Sequence, residues 1–387
     1  MFKFDFDIDD ADEEIEQIVP KSTEASTHDQ PVHPQLPFQE HPISQFLDAL
    51  PLKISYSPLT VPVSSTSKTI TLLRRDLFDA RFQLISTGDD DLQDSKDPEA
   101  ELGPEKDHDS LLSYLDTPSD LLPGVYEGGL KTWECSLDLV EYLENAKLFA
   151  TYQGKRVLEL GCGTAMPSLY ILQQLLFGSQ NTNSEPTEIH LQDYNESVLS
   201  LMTLPNLILT WYASPASQSY RQSLEKEEEE DSEEPQQDEV TITDELKAAF
   251  LSSLKDRHIS LRFFSGSWET FDLEHTEGNY DLILTSETIY RTESLGPLTR
   301  ILEDGCTESL SQKVSKLALA DAQGRTGTAT GAVVLVAAKV LYFGVGGGIS
   351  EFVEFISKTK PGRKGRVDTV LDKITGVGRR VLRIHWI

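Results

Sequence analysis

Cysteine is scarce. Cys135, Cys162 and Cys306 stand far apart with no C-x-x-C pair, which argues against a disulfide framework and a structural zinc site and points to a reducing compartment. The eight histidines are equally scattered, without H-x-x-x-H spacing, and no metal site is expected. Long apolar runs are missing too: the most apolar, 332–345, is interrupted by Lys339 and is too short to cross a bilayer. The opening Met-Phe-Lys-Phe-Asp-Phe-Asp is not a charged-then-apolar leader. A soluble, intracellular protein without membrane attachment is therefore expected. Positive charge is also in short supply, with 34 Lys and Arg against 64 Asp and Glu, a net charge of -30. Such a surface repels phosphate backbones, so no direct specific nucleic-acid binding is expected, and a basic protein partner is favoured. The bland alternative is that the acidity serves solubility alone.

With 387 residues and 38% apolar content, the chain can bury one large core, and one catalytic domain of roughly 250 residues is expected. Residues 1–42 alternate Phe with Asp and then turn Pro/Ser/Thr-rich, as a disordered tail does. Residues 43–114 read as an N-terminal extension, with a strand or hairpin over 68–86 and an acidic loop over 87–109. The main domain spans 115–387, broken at about 213–240 by an insertion that contains the acidic run 225–234. Strands are predicted at 157–160, 188–193, 259–265, 280–286 and 332–338, alternating with helices, and 367–374 with 379–386 form a closing hairpin. This order predicts a mostly parallel α/β sheet with one antiparallel strand.

The chain is organised around Arg156-Val-Leu-Glu-Leu-Gly-Cys-Gly-Thr-Ala-Met-Pro-Ser-Leu169. Apolar strand, glycine turn and Pro at a helix start place backbone N–H groups beside the carboxyl edge of a sheet, where doubly wound folds bind nucleotide-like ligands. A G-x-G pair alone is a weak signal, but Asp193, ~30 residues after the turn, ends the next strand, as ribose-holding acids do. No Walker lysine follows the turn, and Met166 stands where a dinucleotide motif wants its third glycine. A nucleoside without phosphates, S-adenosyl-L-methionine, fits better. Trp133 and its glycine-rich loop read equally as core anchor and as cofactor wall. The run 344–348 reads as substrate entrance or flexible loop, and Lys360, Arg363, Lys364 and Arg366 as RNA contact or solvated loop.

Glu159-Leu-Gly-Cys-Gly163, Gln192-Asp-Tyr194 and Ser286-Glu-Thr288 resemble the class I methyltransferases, whose fold is a Rossmann-like seven-stranded sheet ending in an antiparallel hairpin. More specifically, the stretches 124–135, 285–290 and 342–348 resemble eukaryotic histidine protein methyltransferases of the yeast and animal type. The resemblance covers about 115–387 and, more faintly, 43–86. It implies S-adenosyl-L-methionine as cofactor and, as substrate, a histidine of a large-subunit ribosomal protein, universal protein number three. It further implies a monomer acting in cytoplasm and nucleus. Residue by residue, Thr132, Trp133, Glu134, Cys135 and Ser136 would wall the cofactor, and Gly161 and Gly163 would pass beneath its methionine part. Gln192, Asp193 and Tyr194 would hold ribose and adenine, Gly266, Ser267 and Trp268 the adenine edge, and Ser286 the sulfonium end. Ala165, where glycine is frequent, and the acidic insertion depart from the family pattern.

An imidazole, with pKa ~6.5, is mostly neutral at pH 7 and needs no strong base to become a nucleophile. A carboxylate on its remaining N–H would select the tautomer. Glu287 is the candidate, with Tyr290 shaping the pocket; the competing reading has Glu287 capping the following helix. Two other functions stay open: a lysine methyltransferase of the same fold, for which Glu287-x-x-Tyr290 has suitable spacing, and a non-catalytic acidic chaperone for a basic ribosomal protein.

Overall fold

The structure is a computed structural model that describes residues 35–94, 128–179, 185–228, 238–306, 332–342, 347–358 and 365–386. The Phe2–Phe6 alternation, the 124–127 start of the glycine loop, residues 344–346, and Lys360, Arg363 and Lys364 lie outside them. In chain order the strands are β1 (Gln39–His41), β2 (Lys53–Pro62), β3 (Thr69–Arg75), β4 (Arg156–Leu160), β5 (Thr187–Asp193), β6 (Glu239–Thr241), β7 (Ile259–Ser265), β8 (Leu282–Ser286), β9 (Val333–Lys339), β10 (Gly365–Lys373) and β11 (Arg379–Trp386).

Eight of these form one sheet in the order β1-β7-β5-β4-β8-β9-β11-β10. Strands β7, β5, β4, β8 and β9 are parallel, and β11 runs antiparallel to β9. Leaving out β1, this is the seven-stranded sheet with a terminal hairpin that the sequence predicts. The expectation of a single antiparallel strand is corrected: β1 adds a second, pairing Gln39 with Ser265 and His41 with Phe263. Residues 35–42 thus belong to the sheet rather than to a tail. Glu40 is held there by Arg262, whose Nε and Nη2 lie 2.7 and 2.9 Å from its carboxylate.

The central strands are apolar on both sides because both faces are covered. Val157, Leu282, Leu284 and Leu335 face α3 (Glu134–Ala146), α4 (Met166–Phe177) and α6 (Leu204–Tyr212), the last continuing from α5 (Glu196–Val198) through a π turn at Leu199–Thr203. Leu158, Ile283, Val334 and Val336 face α9 (Thr292–Asp304) and α10 (Ile349–Ser357). The period-2 alternation decides which side chain joins which layer, each buried Leu, Ile or Val contributing about 1.5–3 kcal/mol.

A second, three-stranded sheet, β3-β2-β6, comes from the N-terminal extension. The strand reading of 68–86 is corrected beyond Arg75: α2 (Leu77–Asp94) begins there, with Ala80 and Leu84 buried one helical turn apart. The insertion expected at 213–240 is ordered at both ends. Ser214 and Ser217 are buried, α7 (Gln218–Glu228) follows, and β6 pairs with β2; only 229–237 lie outside the described residues. The remaining helices are α1 (Ile43–Asp48) and α8 (Asp244–Asp256).

Three acids on one face of α3, spaced three apart, fasten both hairpins to the sheet. Asp138 and Glu141 take Lys373 at 3.0 and 2.6 Å, Arg379 donates to Asp138 at 2.7 Å, and the Ser64 N–H donates to Glu141. Glu144 accepts from Tyr170, Lys68 and Lys147 at 2.7–2.8 Å. Burial pulls its carboxyl upward, but these three bonds override it and hold the group down to about 2. Its stability contribution is therefore present above the ordinary value of 4.5 and lost as pH falls from there toward 2. Glu144→Ala is expected to destabilise by about 1–3 kcal/mol at pH 7, by orphaning the Tyr170 hydroxyl. The loss should shrink in acid, as urea titrations at pH 7 and pH 3 would show.

Candidate functional site

Strand β4 delivers its carboxyl end into a turn that needs left-handed backbone. Gly161, Gly163 and Ala165 have φ of 59°, 52° and 57°, a region where an alanine is strained and a glycine is not. The turn is held from every side. Gln192, next to last in β5, accepts Cys162 N–H on its backbone carbonyl (2.9 Å) and Trp268 Nε1–H on its side-chain oxygen (2.7 Å), and its amide donates to the Gly266 carbonyl (2.9 Å). Asp193, buried, accepts Gly163 N–H at 2.8 Å. Thr203, in the π turn, donates to the Gly163 carbonyl (2.7 Å), and Asn206 Nδ2 donates to the Thr164 carbonyl (3.0 Å).

A loop crosses this turn. A Cβ on Gly163 would stand 3.1 Å from the Gly129 carbonyl, and a Cβ on Gly129 would stand 2.9 Å from Val198. Thr132 then bonds Thr164 side chain to side chain (3.0 Å), Trp133 stacks under Lys339 Nζ (4.6 Å), and α3 starts at Glu134. The described part of the glycine-rich loop thus lies against the turn.

At the end of the neighbouring strand β8, Thr285 bonds the Leu160 carbonyl and Thr288, while Glu287 adopts φ 58°. A non-glycine residue there costs about 1–3 kcal/mol and is characteristic of functional positions. Glu287 does not cap the following helix, which begins at Thr292 behind Arg291. Its Oε2 accepts the Tyr342 hydroxyl at 2.7 Å, and Lys339 Nζ stands 3.7 Å from Oε1. That Oε1 is buried and accepts no hydrogen bond of normal geometry. Burial and the adjacent Glu287 push both the Tyr342 hydroxyl and the Cys135 thiol far upward, so both stay protonated. The Tyr290 ring lies 6.2 Å from that of Tyr342.

Not every predicted residue faces this cleft in the same way. Ser267 bonds Gln35 (2.6 Å) and the Leu36 carbonyl, and the side of Gly266 that a Cβ would fill is taken by Pro37. Ser136 turns back to the Trp133 carbonyl (2.6 Å). Ser286 sits at the β8 end in register with Ala337. Glu134 lies 3.9 Å from Arg379, and Tyr194 gives its carbonyl to Gly266. Thr203, Asn206 and Tyr342 complete the site without having been singled out as site residues. Thr203 and Asn206 could have been found as buried polar residues three apart in a mostly apolar helix.

Beneath the turn, Glu159 is fully buried and accepts both the N–H (3.0 Å) and the hydroxyl of Ser168, tying β4 to the first turn of α4. The site suits a ligand with a cationic centre and no phosphate: Asp193 ends β5, Glu287 follows β8, and residues 161–165 include no lysine or arginine. Among the described residues no group of three His, Cys, Asp or Glu could hold a metal ion, and no helix is long and apolar enough to cross a membrane.

No family model matches the chain. It is similar to Histidine protein methyltransferase 1 of Saccharomyces cerevisiae, 36% identical over 291 residues that cover 74% of this chain and 68% of that one. To the protein of the same name from Schizosaccharomyces pombe it is 32% identical over 330 residues, 84% and 78% of the two chains. The Bos taurus homologue is 36% identical over 245 residues, 62% of this chain and about half, 51%, of its own. A solved magnesium protoporphyrin IX methyltransferase from Synechocystis with bound SAM aligns at 11% identity and a TM-score of 0.30, over 80% of this chain and 95% of that one. The fold assignment rests on strand order instead.

Burial, with a smaller push from Asp193, drives the Glu159 carboxyl up to about 8. Folded protein therefore keeps a proton that the unfolded chain releases near 4.5, so stability is full below 4.5 and lost as pH rises through 8. Glu159→Gln mimics the protonated form. Its urea midpoint is expected to overtake the wild-type value as pH rises from about 6 to 9; parallel profiles would contradict the assignment.

Proposed function

The chain belongs to the histidine protein methyltransferase 1 family, and from that premise we propose that it methylates a ring nitrogen of a histidine in a basic protein. The cofactor is S-adenosyl-L-methionine, which supplies a methyl group on a sulfonium sulfur, open to in-line displacement. The observation that carries the reading is the largely buried Glu287 carboxylate, held at φ 58° at the end of β8 beside the glycine turn of β4 and oriented through Oε2 by Tyr342.

The chain's own work is positioning and exclusion of water. Gly161 and Gly163, braced by Gln192 and Asp193, would hold the cofactor's methionine part, with Trp133 and Trp268 walling it. A neutral imidazole entering beside Tyr290 would have one ring nitrogen free to take the methyl group, with the neutral thioether S-adenosyl-L-homocysteine leaving. Its other nitrogen keeps an N–H, for which Glu287 Oε1 is the proposed acceptor. The Tyr342 hydroxyl fixes the carboxylate through Oε2, so tautomer and ring orientation are set before attack. As the imidazole gains positive charge, Glu287 and the surrounding acids stabilise it electrostatically.

In its finer form the reading takes as substrate a histidine of a large-subunit ribosomal protein, universal protein number three, methylated by a monomer in cytoplasm and nucleus. The net charge of -30 supports a strongly basic substrate. A lysine acceptor is the nearest rival, since Tyr290 and an acid also suit an amine. A lysine must first lose a proton, so its rate would climb above pH 7, whereas a histidine rate levels off near 7.

Incubation of the full chain with methyl-tritiated cofactor and a ribosomal-protein fraction should give methylhistidine on amino-acid analysis; methyllysine alone would favour the rival. Glu287→Ala is expected to keep cofactor affinity within about twofold by calorimetry while losing about 10²-fold or more in turnover. Unchanged turnover would remove Glu287 from the mechanism.

A further inference from the structure

Lys339, the last residue of β9, holds Glu287 from two sides. Its backbone N–H donates to the Tyr342 hydroxyl (3.2 Å), which in turn donates to Glu287 Oε2 (2.7 Å). Its ammonium lies 3.7 Å from Glu287 Oε1 and 4.6 Å from the centre of the Trp133 ring. The cation is thus pinned between a carboxylate and a π face. The same strand takes the Glu287 N–H on the Ala337 carbonyl (2.9 Å). Both side chains are mostly out of water, Lys339 20% and Glu287 9% exposed, where a charge is screened far less than on an open surface.

The groups around this pair add no charge of their own. Cys135, at the start of α3, and Tyr342 both stay protonated. Asp138, one turn further along α3, is matched by Lys373 and Arg379. Glu159, beneath the turn, keeps its proton up to about 8. The carboxyl edge of the sheet is left with two acids, Asp193 ending β5 and Glu287 after β8, and one cation, Lys339 ending β9. The cofactor's sulfonium makes the count even. A neutral acceptor keeps it even, because methyl transfer only moves the positive charge from sulfur to the ring. A protonated amine would instead bring a third cation up against Lys339.

We propose that Lys339 is a specificity-determining residue. Beside the carboxylate that receives the acceptor's N–H, its ammonium completes the charge balance, so the site takes a neutral imidazole and rejects a lysine ammonium. The proposal deepens the function reading above and rests on it for the cofactor and for the place of Glu287. A like charge set against the competing substrate discriminates between acceptors that otherwise fit. Lys339 supplies what Glu287-x-x-Tyr290 lacks, since that spacing suits histidine and lysine alike.

The test isolates the charge of the acceptor. Two fluorescent, arginine-flanked peptides differ only at the centre, with lysine in one and norleucine, its uncharged near-isostere, in the other. Anisotropy gives their affinities for the full chain saturated with S-adenosyl-L-methionine. The wild-type protein should bind the lysine peptide about tenfold more weakly than the norleucine peptide. Lys339→Met should abolish or reverse that ratio, a change of about tenfold or more, and Lys339→Arg should preserve it. A general loss of structure would weaken both peptides together and leave the ratio where it was. Equal affinities in the wild type, or a ratio that Lys339→Met does not move, would overturn the proposal. Amino-acid analysis of a ribosomal-protein fraction labelled with methyl-tritiated cofactor reads the function separately. Methylhistidine with an unmoved ratio would sink the charge selection alone. A ratio that depends on Lys339, without methylhistidine, would uphold charge selection and count against the function reading instead.

Discussion

Asp193 is the hinge on which the site depends. Buried at the end of β5, it receives the Gly163 N–H at 2.8 Å and approaches Gly129 closely enough that a Cβ there would stand 3.4 Å from its Oδ2. One carboxylate therefore fixes the glycine turn and the loop that crosses it. The turn sets where α4 begins; the loop sets where α3 begins, and with it the position of Cys135 beside Glu287. The acids of α3 then anchor both hairpins. Removing the Asp193 charge would leave a buried backbone donor without a partner and loosen the two walls of the cleft together.

Three carboxyl groups crowd this edge of the sheet, and each is accommodated differently. Glu159 has no cation near it and holds its proton, resting on Ser168. Asp193 is met by the backbone N–H groups of Gly163 and Asn195. Glu287 is met on one oxygen by Tyr342 and approached on the other by Lys339. Asp193 and Glu287 leave the edge negative without a fixed cation in the turn, which suits a sulfonium cofactor and an imidazole acquiring charge, and opposes a triphosphate.

Much of this was legible from residues alone. The strands carry strong local signals, because apolar runs buried on both faces have few other uses, and the weak G-x-G signal gains weight from Asp193 ending the next strand. Other parts depend on partners distant in sequence. Glu40 meets Arg262 across 222 positions, and nothing in the short stretch around it advertises an edge strand. Helix α2 escaped for another reason: exposed Phe78 and Phe82 fill in the apolar pattern, so the spacing of Ala80 and Leu84 no longer stands out as helical. Thr203 and Asn206 looked like ordinary members of an apolar helix, although their side chains hold the turn's carbonyls. Tyr342 was visible only as part of a family stretch; its bond to Glu287 spans 55 positions.

The central claim is that the braced glycine turn is built for a cationic nucleoside cofactor. Titration calorimetry of the full-length protein with S-adenosyl-L-methionine, and separately with ATP, tests it directly. Saturable one-to-one binding of S-adenosyl-L-methionine, with no heat from ATP, is the predicted result. Tight ATP binding, or no binding of S-adenosyl-L-methionine by folded protein, would contradict it.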